Sequence, residues 1–346
     1  MTTALILLAC AAVIYVSCEY FVNGVEWLGL RLGVNENAVG TVLAAFGTAL
    51  PESVVTFVAV VSGTSAADRQ IGVGAALGGP LVLATIGYAV VGLSFLAFRA
   101  GSGAALLSDG EQRRLARDQA WFLGIFAVKV ALGFVAFRFK PWLGWAFLAA
   151  YALYTWREIT GTVRTGAAPT GALPGTGAQA SGAVDELEPL KFRPQAANPP
   201  MRWILLQTLL ALAVIFLGSE IFVRQMGQLS LMLGLTTQLT SLLLSPVATE
   251  LPELLNAVIW LRQGKATLAL GNISGSMLIQ ATVPSAFGLF FTPWLFDRPL
   301  TVAAGVTFVS IALMWWLLVR QRLSAAKLAW FAGFYLLFAV LALGGW

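Results

Sequence analysis

Residues 47–53 read GTALPES and residues 248–254 read ATELPEL. Each phrase sets a threonine, a proline and a glutamate (Thr48, Pro51, Glu52; Thr249, Pro252, Glu253) inside a stretch that is otherwise apolar. Proline has no N–H to offer the carbonyl four residues back, so the C=O groups of Gly47 and Ala248 are expected to be free. Thr48 and Thr249 stand one turn before the glutamates, on the same helical face. Together the two phrases collect carboxylate, hydroxyl and carbonyl oxygens, which are hard ligands. Ca²⁺, which takes about 6–8 oxygens in flexible geometry, is the ion these groups suit best. Softer metals want Cys or His. The chain has no histidine, and its two cysteines, Cys10 and Cys18, lie together in the first apolar run. A zinc site of the usual kind is therefore excluded, as are His-dependent catalytic triads, and no enzymatic centre is visible. The cysteines read as small buried apolar residues.

The elements that position these acids are set by composition. Of 346 residues, 58% are hydrophobic and 11% charged, less than half of the roughly 25% charged usual in soluble domains. Runs such as 3–17, 203–218 and 301–319 approach or reach the ~20 apolar residues needed to span a bilayer. The pattern predicts an all-α polytopic membrane protein of about ten transmembrane helices, near 3–30, 36–61, 71–97, 119–137, 141–157, 203–231, 237–261, 267–295, 300–319 and 325–345. A transmembrane barrel would show short alternating segments instead. The phrase LLAC at 7–10 lacks the preceding positive charge of a secretory signal, so residues 3–30 are expected to be retained as the first helix.

Most of the 21 Lys and Arg follow the odd-numbered spans: Arg31; Arg99, Arg113, Arg114, Arg117; Arg157, Arg164, Lys191, Arg193, Arg202; Arg262, Lys265; Arg320, Arg322, Lys327. Even-side loops hold Arg69, Arg138, Lys140 and Arg298. The positive-inside bias places the odd loops in the cytoplasm and both termini outside. A bacterial inner (plasma) membrane location is expected, with the lipid bilayer as surroundings. The basic residues are scattered anchors rather than a stripe, so nucleic acid is not an expected partner.

The segment 161–201 is rich in Gly, Ala and Pro and reads as a flexible cytoplasmic linker between residues 1–160 and 202–346. Across it the chain repeats at constant spacing. Cys18-Glu19-Tyr20-Phe21-Val22 matches Ser219-Glu220-Ile221-Phe222-Val223, and Leu32-Gly33 matches Leu233-Gly234. Thr48, Leu50, Pro51 and Glu52 match Thr249, Leu251, Pro252 and Glu253, and Gly63 matches Gly264. Further on, Gly74 and Gly78 match Gly271 and Gly275. An odd number of spans per half makes the second copy enter the membrane from the opposite side, giving two inverted-topology five-helix repeats. That is the architecture of many secondary transporters, with the site near the midplane on interrupted helices.

The paired phrases GTALPE and ATELPE, each followed by a glycine-rich phrase (GAALGG, GNISGS), resemble the two α-repeats of the sodium/calcium exchanger family, within the cation/calcium antiporter superfamily. The resemblance takes in the lead-in CEYFVNGVEWLGLRLGV and spans essentially both halves. It implies a ten-helix fold exchanging Ca²⁺, or a similar divalent cation, for Na⁺ by alternating access. It also implies central ligands Thr48, Glu52, Thr249 and Glu253, joined by Ser276 and Gln280 of the second glycine-rich phrase. The first repeat departs from the family pattern at Ala49, Gly79 and Leu83, where the family carries oxygen-bearing side chains. The second has Glu250 where the family has serine. Several of the lost groups are sodium ligands in the family. Proton coupling through Glu250 is the alternative, since protonation discharges a carboxylate without further oxygens. The resemblance implies transported ions rather than any permanently bound cofactor, and no obligatory protein partner is evident.

Outside the phrases, Glu19, Glu220 and Asn272 are candidates for a cation path or gate. Glu19 and Glu220 are equally read as satisfied groups near helix ends, with Arg224 neutralising Glu220 across one turn. Asn272 reads either as a ligand or as a helix–helix hydrogen bond. Lys129, mid-span in the fourth helix, is expected to snorkel or to pair. The glycines Gly74, Gly78, Gly79, Gly271 and Gly275 suit close helix packing, and the many Trp and Phe read as interface belts and lipid-facing surface. From other classes, a passive cation channel or a non-transporting relic of the fold remain alternatives. A channel conducts without a counter-ion, and a relic lacks saturable Ca²⁺ binding.

Overall fold

The computed structural model describes residues 2–31, 50–63, 65–99, 106–165, 188–196 and 198–344, and every regular element among them is helical. The first half comprises α1 (Thr2–Arg31), α2 (Leu50–Val61), α3 (Ala66–Val82), α4 (Tyr88–Arg99), α5 (Asp109–Leu132) and α6 (Leu143–Thr165). The second comprises α7 (Met201–Leu233), α8 (Thr237–Thr249), α9 (Leu251–Arg262), α10 (Ala266–Phe291), α11 (Arg298–Val319), α12 (Ala325–Ala329) and α13 (Ala332–Leu343). Among the described residues six stretches are long and apolar enough to cross a membrane: Thr2–Leu28, Ala66–Phe98, Met201–Leu233, Ala266–Phe291, Arg298–Val319 and Ala325–Leu343. The other expected spans fall on helices that are shorter (α2), interrupted (α8–α9) or begin or end in charged sequence (α5, α6).

The outward surface is oil. Leu5, Leu209, Leu336 and Val340 are all well exposed, as are Trp142, Trp145, Trp156 and Trp330. A soluble monomer rarely exposes contiguous apolar surface of this kind, so the chain is an integral membrane protein. The expectation that its aromatics face lipid needs one correction. Trp260 and Trp294 are fully buried.

Two packings bring the halves together. α1 lies along α7 in an antiparallel pair. Thr3 sits beside Met232 at one end, Gln207 donates to Asn23 Oδ1 further along, and Arg31 donates to the Pro199 carbonyl at the other end. α7 ends in a left-handed cap at Gly234 (φ 66°), a conformation glycine adopts at no steric cost. In the second packing, α3 lies on α8. A Cβ on Gly78 would sit 2.5 Å from Pro246 Cγ and 2.7 Å from the Leu242 carbonyl oxygen, so only a bare backbone admits this approach. Gly74 plays the same part against the Gln238 carbonyl. Among the described residues nothing lies within 4 Å of where a Cβ on Gly275 would sit. Gly78→Ala is expected to force α8 outward and to destabilise the fold by about 1–3 kcal/mol, the usual cost of overpacking. A drop in the thermal midpoint of the detergent-purified protein checks this.

Residues 188–196, the end of the expected linker, are docked rather than loose. The Glu188 carbonyl accepts from Asn23 Nδ2 (3.2 Å) and Trp27 Nε1 (3.0 Å), the Lys191 N–H donates to Asn23 Oδ1, and the Phe192 N–H donates to Gln207 Oε1. Leu190 is buried against Trp27 and Ile204. A leucine and paired backbone groups outweigh the Gly/Pro composition of the stretch before them.

Candidate cation site

The second phrase lies at a break in a helix. α8 ends at Thr249 and α9 starts at Leu251, with Glu250 between them and Pro252 in the first turn of α9. This is the interruption the proline predicts. Helix C-terminal carbonyls carry partial negative charge and attract cations. Glu253 lies in the first turn of α9. From the first phrase, Glu52 lies on α2. Gly47, Thr48 and Ala49 lie outside the described residues, and the Ala248 carbonyl is not placed by any contact.

Glu52, Thr249, Glu250 and Gln280 form one connected chain across the two halves. The Thr249 hydroxyl donates to Glu52 Oε2 at 2.6 Å, with the Ser245 carbonyl (3.1 Å) and Glu250 Oε1 (3.4 Å) also within its reach. Gln280 Nε2 donates to both oxygens of Glu250 at 2.9 Å. All four side chains are buried. Glu253 is fully buried, and among the described residues no side-chain or backbone hydrogen-bond partner is found for its oxygens, for Glu52 Oε1 or for Gln280 Oε1. Glu253 is close enough to Glu52 and Glu250 for their charges to interact. A carboxylate at a bilayer's centre costs about 2.5–3.5 kcal/mol on insertion scales.

Among the described residues no three acids already converge as a metal cage. Thr249 and Gln280 are hydrogen-bonded to the carboxylates instead.

Gly79 explains one departure from the family pattern. A Cβ there would lie 2.7 Å from Gln280 Oε1 and 3.3 Å from Glu250 Oε1. The side chain missing from the first repeat leaves the space that the longer Gln280 and Glu250 of the second repeat use. Ser276 is buried on α10 one turn before Gln280. Asn272, two turns before it, is buried with its amide nitrogen unpartnered, so that nitrogen makes no helix–helix hydrogen bond.

Glu19 and Glu220 are not brought into this cluster. Glu19 pairs with Lys191 of the docked segment at 3.5 Å, and Glu220 pairs with Arg224 at 3.8 Å. Lys129, expected to snorkel or to pair, takes the second course. It does not snorkel: its side chain is fully buried, and Nζ donates to the Ala76 carbonyl (2.7 Å) and contacts the Gln280 carbonyl (3.4 Å). It is also close enough to Glu52 for the two charges to interact. The signal that could have found it is a lone cation inside an apolar run, for which a polar interior is the ordinary destination.

Buried acids gather beside a helix break, in a membrane protein whose described regular elements are all helices. The sodium/calcium exchanger protein family model matches residues 2–160 and 203–344, and the chain belongs to that family. It is a family of cation antiporters, not of enzymes. Among solved structures, the H⁺/Ca²⁺ exchanger CAX superposes with a TM-score of 0.63 at 13% identity, covering 99% of this chain and 87% of that one. The sodium-calcium exchanger NCX_Mj, soaked with Na⁺ and Sr²⁺, superposes with a TM-score of 0.56 at 18% identity, covering 98% of each chain. These likenesses concern the fold. A comparison with curated proteins finds no match.

Proposed function

We propose that the chain exchanges Ca²⁺, or a similar divalent cation, for Na⁺ by alternating access, with Glu52 and Glu253 as the core ligands. The observation that carries this is the buried chain Glu52–Thr249–Glu250–Gln280, which joins the two halves and leaves carboxylate oxygens unpartnered. Calcium and counter-ion compete for the same carboxylates, so one leaves before the other enters, and that competition enforces exchange. Thr249, Glu250, Ser276 and Gln280 complete the set, with Gly47, Thr48 and Ala248 contributing from the two phrases. Asn272 lies along the path on α10.

The site is set in a ten-helix bundle of two inverted halves, residues 1–160 and 202–346, in a bacterial plasma membrane. The termini are outside and the linker is cytoplasmic. Several packings support this arrangement. The antiparallel α1–α7 pair is what inverted copies of one helix would make. α10 packs on α5 and α6, and the segment α3–α4 packs in the same way on α11 and on α12–α13.

A second reading, proton coupling, is favoured by one observation. Glu250 is a third buried carboxylate beside Glu52 and Glu253, in a phrase whose family counterpart is serine. Calcium uptake into inverted membrane vesicles, driven separately by a Na⁺ gradient and by a pH gradient, tests both readings. Uptake with Na⁺ supports the first and uptake with pH alone the second. Calcium flux that needs neither gradient marks a channel, and no flux at all sinks the proposal.

A further inference from the structure

Two prolines that the repeats do not share expose two carbonyls at one point. Pro80 lies inside α3 and Pro284 inside α10. Each lacks the N–H that would bond the carbonyl four residues back, and those carbonyls belong to Ala76 and Gln280. These are the two oxygens that Lys129 Nζ contacts, at 2.7 and 3.4 Å. Carbonyls freed by helix breaks inside membrane transporters are typical places for a bound monovalent cation. Here the cation is covalently attached to α5.

The ammonium is enclosed as well as coordinated. The rings of Phe126 and Trp294 face it at 5.6 and 5.8 Å, an arrangement that attracts a desolvated cation. Trp294 is held there against backbone preference. Its φ of 47° lies in a region that bulky residues rarely enter. It is fixed by Lys140 Nζ on its carbonyl (2.8 Å), by Thr292 Oγ1 accepting from its N–H (3.1 Å), and by its indole N–H on the Lys129 carbonyl (3.2 Å). Gly288 leaves room for the ring, which a Cβ there would strike. Such strain persists only where the surroundings over-determine it.

We infer that the carbonyls of Ala76 and Gln280 form a monovalent-cation position, and that the Lys129 ammonium fills it permanently in place of one coupling ion. Gln280 links this position to the transported ion. Its carbonyl faces the ammonium while its amide holds Glu250. The fixed charge lets the site run with fewer mobile monovalent ions, and it accounts for a first repeat that has Ala49, Gly79 and Leu83 where oxygens are expected. The inference rests on the exchanger reading above.

Lys129→Met removes the charge at nearly constant length. In wild-type and variant vesicles, calcium uptake is measured against Na⁺, with N-methylglucamine as the replacement cation. Melting of each purified protein is measured in the same two salts. The wild type reports on the exchanger reading by itself: if it moves no calcium, that reading fails first. The inference predicts that the variant uses about one more Na⁺ per Ca²⁺, by mass action at the vacated carbonyls. It also predicts that Na⁺ raises the melting temperature of the variant by several degrees more than that of the wild type. If the variant fails to fold in N-methylglucamine, Na⁺ is expected to restore it. An unchanged ion dependence and melting response, or a misfolded variant that Na⁺ does not rescue, makes Lys129 a structural strut and overturns the inference.

Discussion

Glutamine in place of Glu253 is expected to abolish calcium exchange while leaving the protein at least as stable as before. The two effects have opposite signs for one reason. Glu253 is 0% exposed and its oxygens have no partner among the described residues, so its charge is costly to the fold and valuable to a cation. An unpaired buried charge is strongly unfavourable, and removing it relieves the fold. The same removal deprives a divalent cation of a full ligand charge. Exchange is expected to fall on the order of 100-fold or more, the equivalent of about 2.7 kcal/mol of ion stabilisation. Glu52→Gln is expected to match it in transport. Its stability gain is smaller, because Glu52 Oε2 already accepts from Thr249 at 2.6 Å. Transport rates and thermal midpoints of the two variants check both statements. Loss of exchange accompanied by loss of folded protein would place the glutamates in the structure rather than in the site.

Glu250→Gln should be the milder and more informative change. Its carboxylate is charge-assisted by Gln280 Nε2, twice at 2.9 Å, and hydrogen bonds to charged groups contribute about 1.5–3 kcal/mol. The variant sets an amide against an amide, so Gln280 turns and the third carboxylate charge disappears. A loss of about tenfold in calcium exchange is expected, corresponding to 1.4 kcal/mol, with Glu52 and Glu253 still able to bind the ion. Vesicle uptake under each gradient separates the two coupling schemes. In a Na⁺ exchanger, Na⁺-driven uptake falls with the rest. In a proton exchanger, pH-driven uptake vanishes because its carrier is gone.

The doubled phrase was legible because its chemistry is local: threonine, proline and glutamate at fixed spacing announce a broken helix with an acid beside the break. The break at Glu250 and the burial of Glu52 and Glu253 follow from that spacing. The crossed hydrogen bond from Thr249 to Glu52 was not legible, because it depends on how the two halves dock. The partners of Lys129 were not legible for a related reason. They are backbone carbonyls exposed by Pro80 and Pro284, and since these prolines do not align between the repeats, the comparison that found the acids passed over them. The docked segment at 188–196 was hidden by its neighbours. The composition of 161–201 is dominated by Gly and Ala, and Leu190 and Phe192 are too few to change an average. Glu19 and Glu220 are repeated as faithfully as the site acids, yet they end in ion pairs outside the cluster. Repetition marks a shared helix and says nothing by itself about a shared ion.

The central claim is that one cation position, built from Glu52 and Glu253, serves calcium and its counter-ion in turn. Equilibrium titration of the purified protein with Ca²⁺ addresses it most directly, run with and without Na⁺ and at two pH values. The account predicts one saturable site per chain, weakened by the coupling ion and absent from Glu52→Gln and Glu253→Gln. Calcium binding that persists in both variants, or that the counter-ion leaves untouched, would contradict it.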